Sequence, residues 1–186
     1  MKTNLLPAIK LTLLCMVLFM GVYTLVMLGI AQTAPNRGNG FIIEANGKRY
    51  YENIGQKFTF DKYFWSRPSA VDYNAAGSGG SNKGPSNPEY LKTVRDRIDT
   101  FMVHNPSVKK EEIPSDIVTA SGSGEDPNIS IQAAMIQIGR IAKVRNIPED
   151  KIMNLVNEHT EKPLLGIFGP SKVNVLKLNI SLDNLR

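Results

Sequence analysis

The stretch LTLLCMVLFMGVYTLVMLGIA, residues 11–31, decides the architecture, because it separates a part of the chain suited to lipid from a part suited to water. Its 21 residues carry no charge. As a helix it would extend roughly 31 Å, about the thickness of a bilayer core. Gly21 and Gly29 are tolerated in spanning helices, and Tyr23 can be carried inside. The competing reading is a cleaved secretory signal, because Gly29, Ile30 and Ala31 form a small-x-small site. The run exceeds the roughly 7–15 apolar residues of such a signal, which favours an uncleaved anchor. A lipoprotein signal fails as well, since bulky Leu14 precedes Cys15. Lys2, Lys10 and the amino terminus precede the run and Arg37 follows it, so the expected orientation has the N-terminus in the cytoplasm. The expected division is residues 1–10 cytoplasmic, 11–31 transmembrane, 32–40 a polar linker, and 41–186 one extracytoplasmic domain.

The remainder has the composition of a folded domain. Of 186 residues, 42% are hydrophobic and 21% charged, unlike a disordered chain. The net charge of +5 is mild and scattered, which argues against a nucleic-acid partner. Cys15 is the single cysteine, so the domain has neither disulfides nor a cysteine metal site.

Outward from the anchor, Asn46-Gly47 lies between two short β-like runs within residues 41–60 and predicts a hairpin, since both residues accept positive φ. Asn87, Pro88 and Glu89 give a cap, a first-turn proline and an acidic residue ahead of Leu91, Val94, Ile98, Phe101 and Met102 at helical spacing. Asn105-Pro106 ends that helix. Ser130 caps the next, with Ile131, Ala134, Met135, Ile138, Ile141 and Ala142 on one stripe. A third starts at 147–150 and carries Ile152, Leu155 and Val156 toward His159. The end, VNVLKLNISL (173–182), alternates and predicts a strand with Leu176, Leu178, Ile180 and Leu182 on its dry face. No internal repeat is present. The expectation is an α+β domain with a small antiparallel or mixed sheet and about three helices, behind one transmembrane helix.

Two segments stand apart. The first, residues 63–87, opens with Tyr63, Phe64 and Trp65 and then turns polar: twelve of residues 74–88 are Gly, Ser, Asn or Pro. The second, TASGSGEDPNIS (119–130), is of the same kind. As a phosphate loop, GSGGSNKG (77–84) fails, because Asn82 stands where Gly is needed and Gly84 where Ser or Thr is needed. No G-x-S-x-G elbow occurs. His104 and His159 each end a predicted helix, where a histidine more often meets the helix carbonyls than performs catalysis. Glu125-Asp126 lacks the ligand pattern of a calcium loop. The aromatic triplet reads as core with Arg67 stacked on a ring. A flexible linker is the plain alternative for the glycine run. Tyr73 and Tyr90 bracket that run, with Asn, Ser and Pro at capping positions, and this favours an ordered loop.

Taken as a set, YFWSRPSAVDYNAAGSGGSNKGPSNP, DIVTASGSGEDPNISIQAAMIQIGRIAKVRN, VNEHTEKPLLGIFG and VNVLKLNISLDNL resemble the C subunit family of the Kdp potassium-transporting ATPase. The resemblance covers nearly the whole chain and is least diagnostic over residues 32–55. It implies a bacterial inner-membrane, single-pass subunit whose partners are a channel-like potassium-translocating subunit, a P-type ATPase subunit, a very small membrane peptide and membrane lipid. ATP and Mg would act in those partners, with potassium the transported ion, no cofactor held by this chain, and no catalytic or metal residue in it. The sequence agrees, having no D-K-T-G motif and one span. The family is described as a catalytic chaperone raising the ATPase's nucleotide affinity; an exported domain points instead to assembly or gating beside the ion entrance. Candidate residues for partner contact or loop architecture are Tyr63, Phe64, Trp65, Ser66, Arg67, Pro68 and Ser69, then Ser81, Asn82, Ser86 and Asn87, then Thr119, Ser121, Gly122, Ser123, Gly124 and Asp126. In the span, Gly21 and Gly29 project within about 80° of each other on an ideal helix and would admit a partner helix. The alternatives are a free-standing anchored extracytoplasmic hydrolase, with Ser123 and His159 as nucleophile and base, and a binding protein released by signal cleavage.

Overall fold

The computed structural model describes residues 2–185; the amino terminus and the side chain of Lys2, used above for orientation, lie outside the described residues. The chain divides into two units, Met1–Ile42 and Ile43–Arg186.

The first unit is a helical rod that outruns the apolar stretch at both ends. It comprises α1 (Lys2–Met16), a wide π turn (Val17–Val22) and α2 (Tyr23–Thr33). Within it, Asn4–Thr33 is 30 residues long and apolar enough to cross a membrane. In the wide turn Tyr23 N–H donates to the Leu18 carbonyl, and the Thr24 hydroxyl reaches back to Phe19 O at 3.2 Å. Gly21 sits in this turn, so the ideal-helix angle between Gly21 and Gly29 does not carry over. A side chain added at either glycine would meet nothing within 4 Å.

The second unit is α+β. Its hairpin pairs β1 (Ile42–Ala45) with β2 (Lys48–Tyr51). Asn46 and Gly47 turn it at φ of 51° and 72°, the mirror-image turn that matches strand twist. A second, antiparallel sheet has the order β3 (Asn128–Ile129), β5 (Lys172–Asn174), β4 (Thr160–Glu161), with Val173 opposite both Ile129 and Thr160. Central Val173 is wholly buried.

Five α-helices and two short 3-10 turns, Lys110–Glu112 and Ser115–Ile117, accompany these sheets among the described residues. α3 (Pro88–His104) starts as expected, the Asn87 side chain accepting from Tyr90 N–H. Of its apolar stripe only Phe101 is buried, and Leu91 is exposed. The single helix expected from Ser130 is two, α4 (Ile131–Met135) and α5 (Ile138–Arg145). The cause is Gln137. Its side-chain amide donates to Ala133 O, the carbonyl its own N–H would take in a continuous helix, and that N–H turns to Ala134 O. α6 (Glu149–Glu158) follows as expected.

The terminal strand is a correction. Only Lys172–Asn174 is extended, and Val175–Asn184 is a helix, α7. The Asn174 side chain accepts from Lys177 N–H at 3.1 Å and starts it. Val175, Leu176, Leu178, Asn179 and Leu182 are buried, with Val175, Leu178, Asn179 and Leu182 at i, i+3, i+4, i+7 spacing, and of the expected dry-face residues only Ile180 is not buried. Leucine at alternate positions had matched both periods.

Candidate functional site

The segment from Asp61 to Trp65 has no regular secondary structure, yet its backbone is met group by group by side chains from the helices. Arg140 of α5 donates to the carbonyls of Asp61 and Tyr63, and Arg145 to that of Lys62. The Asn179 amide forms a two-point pair with Phe64, accepting from its N–H and donating to its carbonyl, both at 2.9 Å. Gln137 Oε1 accepts from Trp65 N–H at 2.8 Å and from Arg140 at 2.7 Å. Buried backbone left without partners would be costly, so this polar cage lets an irregular strip carry fully buried Phe64 into the core. Arg140 also donates to Asn105 and stacks 4.8 Å above the Trp65 ring. Burial brings its pKa down to about 10, with Asp61 opposing that shift.

Next along the chain, the two glycine-rich segments are tied to each other. Gly79 N–H donates to Ser123 O at 2.9 Å, and Gly55 N–H to Glu125 O at 2.7 Å. A Cβ on Gly80 would lie 3.0 Å from Gly122 O; one on Gly124 would lie 2.7 Å from Val71 and 2.8 Å from Gly79 O. The approach therefore requires glycine at both positions, and at Gly124 a φ of +72° requires it again. Arg67 spans the same junction, donating to Thr119 O and to the Asp126 carboxylate, both at 3.1 Å. Ser69 Oγ accepts from the N–H groups of Val71 and Tyr73, holding Asp72 and Tyr73 in the left-handed region. The Tyr73 hydroxyl donates to Arg67 O, and burial pushes this phenol up to about 12. The ordered-loop reading is the one this geometry supports.

A cavity of about 490 Å³ opens between α3 and the aromatic strip, with Phe58, Trp65, Pro68, Tyr73, Arg97 and His104 in its walls. His104 does not meet helix carbonyls as expected. Its Nδ1 is 2.7 Å from Asp61 Oδ1, and its ring stands edge-on to Trp65 at 4.9 Å. Ser66 shares this cavity, but its hydroxyl proton is committed to Gln56 O at 2.6 Å. His159 does meet a helix carbonyl, Leu155 O, at 2.9 Å, and its other nitrogen is 2.8 Å from the Ser181 hydroxyl. Ser123, expected as a possible nucleophile for His159, instead accepts from Glu125 N–H beside Ser121. Among the described residues no group of three or more His, Cys, Asp or Glu comes together to hold a metal.

The structure sorts the candidates into three kinds. Tyr63, Phe64 and Trp65 are core or half-buried, and their stacked guanidiniums are Arg145 and Arg140, not Arg67 as the sequence suggested. Ser66, Arg67, Pro68, Ser69, Thr119, Ser121, Gly122, Ser123, Gly124 and Asp126 cluster at the loop junction or the cavity beside it. Ser81, Asn82 and Ser86 are exposed on the outer arc, and Asn87 caps α3. Lys83 of that arc pairs with Glu89, whose carboxyl is held below its usual range by the ammonium. Arg140, Gln137 and Asn179 escaped the sequence reading. The available signal was polar residues falling on an apolar helical stripe: Gln137 and Arg140 lie one turn apart among Ile138 and Ile141.

Comparison with known proteins adds an independent finding. The family model described as K+-transporting ATPase, c chain, matches residues 5–184. The chain is 56% identical over 184 residues to the potassium-transporting ATPase KdpC subunit of Flavobacterium psychrophilum, covering 98% of this chain and 99% of that one. It is 50% identical over 190 residues to the protein of that name from Bacteroides fragilis, covering 100% and 99%. The corresponding Geobacter metallireducens protein is 47% identical over 185 residues, covering 96% of each.

Proposed function

The chain belongs to the KdpC family, the c chain of the K+-transporting ATPase, and from that premise we propose that it serves its complex as a non-catalytic, membrane-anchored scaffold. In this reading ATP hydrolysis and potassium movement reside in the partners: a P-type ATPase subunit, a channel-like subunit and a small membrane peptide. The chain contributes a helix for packing in the bilayer and a preshaped polar surface outside the cytoplasm, beside the ion entrance. Its role is assembly or gating of the complex; raising nucleotide affinity would be an indirect consequence.

The observation that carries this reading is the loop junction, where two glycine-rich segments lock backbone to backbone and Arg67 closes them. A surface held in this way meets a partner with little ordering cost. Both histidines are committed to internal bonds, which supports a structural role for them. Lys10 and Arg37 flank the apolar run 11–31, and the basic N-terminal side favours an external domain.

The test is co-purification from mild detergent with a tag on this chain. Gly21→Leu with Gly29→Leu, which fills two positions now open on the helix surface, is expected to lower recovery of the two large partners and potassium uptake together. Unchanged recovery and uptake would remove the helix from the interface. Orientation is read separately: with Cys15 replaced, a cysteine at exposed Ser107 should react with an impermeant thiol reagent in intact cells.

A further inference from the structure

Between β4 and β5 the chain makes a turn whose sequence, PLLGIF at residues 163–168, does not suit water. Leu164, Leu165, Ile167 and Phe168 are 71%, 82%, 76% and 60% exposed. Elsewhere among the described residues of the second unit, exposed large apolar side chains such as Tyr51, Phe60, Val103 and Val144 stand apart from one another in sequence. Leu165 occupies a left-handed turn position with φ of 54°, followed by Gly166 at 76°. Asn, Asp or Gly would take that first position more easily, so turn chemistry does not explain a leucine there.

Four of the turn's N–H groups, those of Leu164, Gly166, Ile167 and Phe168, are paired within it. Leu164 and Phe168 exchange both of their N–H···O bonds at 3.0 Å across an isolated bridge. Gly166 N–H donates to Pro163 O and Ile167 N–H to Leu164 O. Pro163 has no N–H to satisfy. Hydrocarbon offers no hydrogen-bond partners, so a turn with most of its N–H groups already paired suits the bilayer interface, where headgroups and water still reach its remaining carbonyls. Residues 163–171 carry no charge, exposed Lys162 stands at the base, and Glu161 is taken up by Lys172 and Lys177.

We propose that this turn is a second membrane contact, an apolar tip that enters the interface of the leaflet facing the domain. Leu165, Ile167 and Phe168 meet acyl chains there, and Lys162 meets lipid phosphates. The proposal rests on the membrane-anchored reading of the chain. Eight residues, 34–41, separate α2 from β1 and reach at most about 28 Å when extended, so the domain stays close to its bilayer. Insertion of this kind is shallow, about 5–10 Å, as for other interfacial apolar elements.

The test uses the full chain with Cys15→Ser and single cysteines at Leu165, Ile167 or Phe168, or at exposed Val144 as control. Each is labelled with an environment-sensitive fluorophore and reconstituted into phosphatidylcholine vesicles with a minority of anionic lipid. The tip positions should emit to the blue of the control and be quenched severalfold more by lipid carrying a nitroxide on its acyl chain. Flotation with the vesicles reports the anchor separately, so failure to float indicts the anchoring premise and takes the tip proposal with it. A chain that floats with tip probes as solvent-exposed as Val144 overturns the tip alone. Tip probes that become shielded only in the purified complex, without lipid quenching, also overturn it and assign the tip to a protein partner.

Discussion

Gly124→Ala tests whether the loop junction is a fitted contact, and the structure supplies the magnitude. The residue is buried at φ +72°, where alanine loses about 1 kcal/mol or more relative to glycine. The added Cβ would stand 2.7 Å from Val71 Cγ2 and 2.8 Å from Gly79 O. The valine methyl can swing; the carbonyl belongs to backbone tied at 2.9 Å by its residue's own N–H to Ser123 O. Relieving the overlap therefore stretches that bond, at about 1 kcal/mol, and shifts packing around Val71 by a similar amount. The sum is about 2–4 kcal/mol, which for a domain of this size lowers the melting temperature by roughly 5–15 °C. Gly122→Ala is the matched control two residues away. Its Cβ would meet nothing within 4 Å and its φ is not positive, so its melting should stay near wild type. The assay is thermal unfolding in detergent followed by Trp65, the single tryptophan. Equal melting of the two variants, in either direction, would refute the claim that the junction depends on close backbone approach.

Three further outcomes follow from the same geometry. Arg140→Met strips donors from Asp61 O, Tyr63 O, Asn105 Oδ1 and Gln137 Oε1, and should cost about 3–5 kcal/mol, read as a drop in urea midpoint with altered Trp65 emission. For Tyr73, raised to about 12, the folded state keeps a proton that the unfolded state loses from about pH 10, so its contribution is whole below pH 10 and fades toward pH 12. Tyr73→Phe should flatten that alkaline decline by up to ~2–3 kcal/mol relative to wild type; lowered Arg140 acts oppositely, but equally in both proteins. His104→Gln with His159→Gln should leave potassium-stimulated ATP hydrolysis of the assembled complex within a few-fold of normal, and a loss of orders of magnitude with assembly intact would make one of them catalytic.

Local punctuation made part of this fold legible. Asn46-Gly47, Asn87-Pro88 and Ser130 announce their elements through conformational preferences confined to a few residues. The end of the chain was misread because Leu176, Leu178, Ile180 and Leu182 satisfy a two-residue period. What decides it is Asn174, whose capping bond turns the backbone, and Asn179, which the strand reading had put on the wet face. Asn179 is buried because its partner is Phe64, 115 residues away, and no local pattern carries such a pairing. The glycine-rich segments were recognisable as ordered loops through their caps. That they pack on each other was not, since glycine at a close approach and glycine in a free turn look alike in sequence.

The placement of polarity in this domain bears on what it can offer a partner. Buried Gln137, Arg140, Asn105 and Asn179 contribute less net stability than apolar residues of similar size, because each is desolvated before it is paired. Their bonds are directional, however: Gln137, Arg140 and Asn179 act on one strip of backbone, Asp61 to Trp65, and Asn105 holds Arg140. That strip runs directly into Ser66, Arg67 and Ser69, which hold the loop junction. Core and loop surface are thereby coupled through a few covalent bonds and a chain of hydrogen bonds. A helix shift in the core that displaced Arg140 would move Trp65 and, two residues on, Arg67. Such coupling predicts that Arg140→Met perturbs the loops as well as the core. Amide exchange at Gly79, whose N–H crosses the junction to Ser123, should quicken in that variant even where the domain stays folded. Protection at Gly79 equal to wild type would separate the two networks and leave the loops to hold themselves.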